Sequence, residues 1–149
     1  LNEGSSVNVF ICNKNNILKT LTKLNEYGEV LLEKYIPGRE IQVAILENKV
    51  LGAIELRPTR KFYDYQAKYN PKARTEHIIP VEISKKKYKE LTKIALKAHK
   101  ILNCRGVTRS DFRYYKNSFY LLETNTQPGM TSLSLVPEIA NSLVYRTRL

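Results

Sequence analysis

Apolar and polar positions alternate along the chain with two different periods, and each change of period marks an element. Val7–Cys12 reads as a short strand. Ile17, Leu18, Leu21 and Leu24 then recur at helical spacing, which predicts a helix capped by Asn15 or Asn16 and running to about Glu26. Glu29–Ile36 predicts a second strand, stopped by Pro37-Gly38. Arg39–Glu47 and Val50–Leu56 alternate with period two on either side of Asn48-Lys49, the pattern of a hairpin. The stretch from Arg57 to Thr75 has no apolar period. A loop of that length is either disordered or functional, and the aromatics Phe62, Tyr63, Tyr65 and Tyr69 argue against disorder. His77–Pro80 predicts another short strand. The helical period returns with Tyr88, Leu91, Ala95, Ala98 and Leu102 on one face and Lys86, Lys89, Lys93, Lys97 and Lys100 on the opposite one.

The segment "RGVTRSDFRYYKNSFYLLETN" predicts a second hairpin, turning at Lys116-Asn117-Ser118. A three-residue loop sets Tyr115 against Phe119 and Asp111 against Glu123. Residues i and i+2 of a strand share a face, so Glu123 and Asn125 project together, with Arg109 beside Asp111. Two carboxylates and an amide oxygen suit a hard divalent cation. A surface lattice of arginines and acids across the strands accounts for the same pattern, and periodicity alone leaves both readings open. Beyond Pro128-Gly129, Pro137 and Glu138 suit the first turn of a helix, with Thr131, Ser132 and Ser134 at its start, where hydroxyls either cap the helix or bind anions.

A chain of 149 residues is long enough for one domain with a real core. Cys12 and Cys104 are far apart, which is neither a disulfide framework nor a zinc pattern, and free thiols fit a reducing, cytoplasmic setting. His77 and His99 have no partner at metal-ligand spacing. No apolar run is long enough to span a bilayer, so no membrane is expected. The net charge of +11 raises the possibility of a nucleic-acid partner. However, much of the excess lies on the solvated face of one amphipathic helix, with no nucleic-acid motif beside it, so no such partner is expected.

Five motifs in order carry a more specific message. "NEGSSVNV", "VLLEKYIPGRE", "FYDYQAKY", "RGVTRSDFRYY" and "FYLLETNTQPGMTSLSLVPEIA" closely resemble the D-alanine–D-alanine ligases of the ATP-grasp superfamily, over residues 2–140. The resemblance implies an α+β chain with a partial ATP-grasp fold. This would comprise a C-terminal lobe with an antiparallel sheet and flanking helices, and part of the central lobe. Residues 1–140 would form that partial domain and 141–149 a divergent or truncated tail. The implied reaction phosphorylates the carboxylate of one D-alanine from ATP. The amine of a second D-alanine then displaces phosphate to give D-alanyl-D-alanine for peptidoglycan.

By motif, Asp111, Glu123 and Asn125 would hold two Mg²⁺ (or Mn²⁺) ions. Arg109 and the backbone N–H of Gly129 would face the oxyanion. Ser134 would bind the second D-alanine, with Leu135 beside it. Glu33, Lys34 and Ile36 would bind adenine with Tyr35 nearby, and Glu40 the ribose. Lys68 would reach the γ-phosphate from a lid whose Tyr69 bonds Ser5. The family also implies a homodimer.

The chain departs from the family in three places. Asn8 stands where the family has glycine, the hairpin after Asp111 is one residue shorter than in some relatives, and the tail "SLVYRTRL" does not match the usual apolar last helix. The chain opens on Leu1, directly into motif sequence, and the N-terminal lobe with its ATP lysines and first-D-alanine acid is absent. A fragment of an intact ligase is therefore expected, the alternative being a non-catalytic remnant of such an enzyme.

Overall fold

The structure, a computed structural model, describes residues 8–58 and 75–146. The chain divides into two compact units. In the first, helix α1 spans Ile17–Leu24 and continues as a 3₁₀ turn over Asn25–Tyr27. Asn16 occupies the cap position, but its Oδ1 accepts from the Asn13 N–H at 2.7 Å rather than from the helix. Of the expected apolar stripe, Leu24 is buried and Leu18 is exposed.

Two expected strands do not form. Residues 8–12 and 29–36 have no regular structure. A strand needs a neighbour to take its N–H and C=O groups, and the sheet includes no strand from either segment. Alternation alone does not report a missing neighbour.

The second unit contains an antiparallel sheet. Its strands are β1 (Arg39–Leu46), β2 (Lys49–Pro58), β3 (Thr75–Ile78), β4 (Val107–Tyr115) and β5 (Ser118–Asn125), in the order β3-β2-β1-β4-β5. The first hairpin turns one residue earlier than expected. Leu46 pairs with Lys49, and Glu47 takes the left-handed φ of 54° that a tight turn demands. Gly38, at φ 116°, leads into β1. A side chain there would run into the carbonyl of Tyr114, so glycine alone lets the chain enter beside β4.

Helix α2, Lys85–Ile101, covers one face of the sheet. Ser84 caps it, its Oγ accepting from the Lys87 N–H. Leu91 and Ala95 pack with Ile41, Val43, Ile45, Ala53 and Phe112 in the core, while the five expected lysines of the opposite face are all exposed. His99 is buried near the end of the helix, its Nδ1 2.8 Å from Thr108 Oγ1 on β4. On the same face, the buried carboxylate of Glu55 takes bonds from Arg39 and Arg57. Burial alone would push its pKa up, but these charge-assisted bonds outweigh burial and hold it below the ordinary value.

Helix α3, Leu135–Arg146, packs near the opposite face. A Cβ placed on Gly52 would come within 2.9 Å of Ile139 Cγ2, so the missing side chain at Gly52 admits the helix. Val136 and Ile139 are buried there. His77 on β3 and Glu138 on α3 meet at 2.8 Å. Among the described residues, no helix is long and apolar enough to cross a membrane.

Candidate active site

The site is built on the second hairpin. Its turn has two residues, not three. Lys116 and Asn117 both adopt left-handed φ, 46° and 64°, as a type I′ turn requires. Tyr114, not Tyr115, therefore faces Phe119, and their rings stack 4.5 Å apart. Continued unbroken, that register would set Asp111 against Leu122. Instead the ladder shifts by one residue between Asp111 and Phe112, leaving Leu122 unpaired. The bulge restores the expected pairing: Asp111 faces Glu123, and Arg109 faces Asn125.

Four of the candidate side chains thus stand in two adjacent rows on the sheet face away from α2. Arg109 forks onto Asp111, with Nε to Oδ1 at 2.8 Å and Nη2 to Oδ2 at 3.0 Å, and both residues are largely buried. Asn125 Oδ1 accepts from the Gln127 N–H at 3.0 Å, which fixes the amide and leaves the oxygen a second lone pair.

β1 extends the polar strip on the same face. Glu40 pairs with Arg113 at 3.1 Å, and Arg113 also donates to the carbonyl of Gly38. Gln42, directly across from Asp111, is 2% exposed, and its Oε1 has no hydrogen-bond partner. Gln42 and Arg113 were not anticipated. The only trace of Gln42 in the sequence is one polar residue between Ile41 and Val43.

The turn after β5 brings Gly129 to Ser134. A Cβ on Gly129 would lie 2.8 Å from Ser134 Oγ. That hydroxyl accepts from the Thr131 N–H at 3.0 Å and sits 2.9 Å from Thr131 Oγ1. Leu135, the first residue of α3, follows directly.

In the first unit, Glu33, Lys34 and Tyr35 are exposed; in the second, Ile36 is half-buried, and the four lie in irregular chain rather than the expected strand. Asn8 adopts φ 58°, a left-handed conformation that asparagine tolerates better than most residues, so it can stand in a glycine's place. Ser5, Lys68 and Tyr69 lie outside the described residues, as does most of the expected lid.

The donor set suits a hard cation. Two carboxylates and an oriented amide oxygen share one face of adjacent strands, and all are oxygen ligands. Among the described residues no three His, Cys, Asp or Glu side chains gather. A cation held here would therefore rest on this pair of acids and Asn125, and it would compete with Arg109 for Asp111.

An antiparallel sheet with this acid–amide–arginine face and a Gly–Ser turn at its end is the C-terminal portion of an ATP-grasp ligase fold. A solved D-alanine–D-alanine ligase from Bacillus anthracis superposes with a TM-score of 0.79 at 35% identity, covering 95% of this chain and 46% of that one. A second structure of that enzyme, complexed with ATP, gives 0.74 at 28% identity over 89% and 42%. The family model described as D-ala D-ala ligase C-terminus matches residues 1–144. The D-alanine–D-alanine ligase of Pelagibacter ubique is 66% identical over 140 residues, covering 94% of this chain and 46% of its own length. That of Paramagnetospirillum magneticum is 44% identical over 94% and 48%. The chain belongs to the D-alanine–D-alanine ligase C-terminal family, and it spans about half the length of the curated relatives it matches.

Proposed function

We propose that this chain supplies the ATP- and metal-binding half of an enzyme that joins two D-alanines through an acyl phosphate. The observation that carries the reading is the restored register. It lines up Asp111 with Glu123 and Arg109 with Asn125 on one face, and these are the four residues to which the family resemblance gives metal and oxyanion roles. Mg²⁺ or Mn²⁺ bound there would neutralise charge on the ATP phosphates.

The chain's own residues do the rest. Asp111, Glu123 and Asn125 would hold the cations. Arg109 and the Gly129 N–H donate to the oxyanion formed when the amine attacks, and a preorganised donor of this kind is worth about 3–4 kcal/mol of barrier. Ser134 takes the carboxylate of the second D-alanine, with Leu135 beside it, and the cap position gives that anion helix N–H groups as well. Glu40 holds the ribose, and Glu33, Lys34, Tyr35 and Ile36 flank the adenine. Lys68 reaches the γ-phosphate, and Tyr69 with Ser5 closes a lid that keeps water from the acyl phosphate.

The first D-alanine and further ATP contacts belong to an N-terminal lobe like that in the other half of the relatives. The working enzyme is a cytoplasmic homodimer acting in peptidoglycan synthesis. Binding of ATP to the chain, measured by calorimetry with and without Mg²⁺, tests the reading. Mg²⁺-dependent binding that Asp111→Asn removes is expected. Binding indifferent to both Mg²⁺ and Asp111 would overturn it.

A further inference from the structure

We infer that Arg113 is a positioning residue for the nucleotide, holding the Glu40 carboxylate in place for a ribose. The inference rests on the reading above in which Glu40 takes the ribose of ATP. Arg113 and Glu40 stand directly across from each other on β4 and β1. Nη2 of Arg113 meets Glu40 Oε2 at 3.1 Å, and Nη1 donates to the Gly38 carbonyl at 3.2 Å. One planar guanidinium is thus tied to a side chain and to the backbone two residues before it, which fixes the carboxylate against the start of β1.

The sheet alone gives little reason for the pair. Both side chains are largely buried, Arg113 14% and Glu40 13% exposed. Replacing a buried ion pair by apolar residues is often neutral or stabilising. Glu40's other cross-strand neighbour, Leu56 on β2, is buried and apolar in that way. For a ligand the pair has a use. A carboxylate has about four lone-pair sites, so it can hold Arg113 and accept from a ribose hydroxyl together. Without Arg113, Glu40 loses a bond that fixes its rotamer, and the ligand must order the side chain as it binds, which weakens binding. Arg113 also lies two residues from Asp111 on the same face of β4. The strand that carries a candidate metal ligand therefore also carries the residue that orients the sugar ligand, so both are placed by one rigid element.

The test uses the 149-residue chain with Mg²⁺ and compares, by calorimetry, the dissociation constants of ATP and of dideoxy-ATP, which lacks both ribose hydroxyls. The unsubstituted chain should favour ATP. Arg113→Met should weaken ATP binding roughly five- to tenfold and leave dideoxy-ATP binding nearly unchanged, so that the preference falls. Arg113→Lys, which keeps the charge without the planar fork, should lower the preference less, and it is the variant to read if circular dichroism shows Arg113→Met unfolded. In a Glu40→Gln background the Arg113 substitution should change the preference no further, as a coupled pair requires. A preference that Glu40→Gln removes but that survives substitution of Arg113, undiminished or increased, overturns the inference and leaves the ribose reading standing. So does equal weakening of both ligands in a folded variant, or an Arg113 effect that persists without Glu40. A chain that does not bind ATP, has no preference, or has one indifferent to Glu40→Gln removes the ribose reading and this inference together.

Discussion

Asp111 stands directly across from Glu123 because Leu122, between Glu123 and the turn, has no partner on β4. A one-residue slip moves every side chain beyond it to the other face of a sheet. The bulge is thus what sets Glu123 and Asn125 beside Asp111 and Arg109. Deleting Leu122 should leave the turn at Lys116-Asn117 intact and close the ladder, with Asp111 still across from Glu123 and Arg109 across from Asn125. Mn²⁺ binding by the deletion variant should be retained, with the far-ultraviolet circular dichroism of the parent. Lost binding would mean that the extra twist a bulge gives its strand, and not the register alone, builds the site.

The turn between Gly129 and Ser134 leaves no room for a side chain at residue 129, where a Cβ would lie 2.8 Å from Ser134 Oγ. Gly129→Ala should push the hydroxyl from its bonds with Thr131. In a complete enzyme carrying this half, the KM for the second D-alanine should rise about tenfold or more, with ATP binding little changed. An equal effect on ATP would place Ser134 elsewhere in the reaction.

Glu55 ties two strands to the loop before α2 through Arg39, Arg57 and, beyond them, Glu82. Its pKa is lower in the folded chain than in the unfolded one. Its contribution to stability is therefore complete above the unfolded carboxylate value, about 4.3, and is lost as pH falls through the lower folded value. Glu55→Gln should destabilise the chain by about 2–3 kcal/mol at neutral pH. It should also flatten the fall of stability between about pH 5 and pH 2. Urea melts across that range give both quantities. A variant as acid-sensitive as the parent would show that Glu55 is not the titrating group.

Thr108→Val removes the hydroxyl that meets His99 Nδ1 in the core. It should cost about 1–3 kcal/mol in urea unfolding, the penalty of leaving a buried ring nitrogen unpaired. A neutral result would indicate that water replaces the hydroxyl.

Much of the sheet was legible in the sequence. Period-two alternation around short polar turns located β1, β2, β4 and β5, and the helical period located α2 with its lysine face. Two features lay beyond that signal. The segment 29–36 alternates like a strand but has no neighbour in the sheet, and pairing is a property of two segments. In the second hairpin a turn read one residue too long and an unforeseen bulge cancelled. The Asp111–Glu123 pairing was right although the path to it was not. The buried Gln42 was invisible because one polar residue in an apolar run carries no label for the face it occupies or for what is missing beside it. Asn8 shows the reverse. Its departure from the family's glycine was plain in the sequence, whereas its left-handed φ of 58° was not.

If this chain is the catalytic half of a D-alanine ligase, it should work when joined to the N-terminal half of the Pelagibacter ubique enzyme, whose other half is 66% identical to it. Phosphate release is then followed with ATP, Mg²⁺ and D-alanine. The joined enzyme should release phosphate only when D-alanine is present, and Glu123→Gln should abolish release without unfolding the protein. The 149-residue chain alone should release none, since holding both reactants supplies roughly 7–11 kcal/mol of the rate advantage. A well-folded hybrid without D-alanine-dependent release, or one indifferent to Glu123→Gln, would contradict the account.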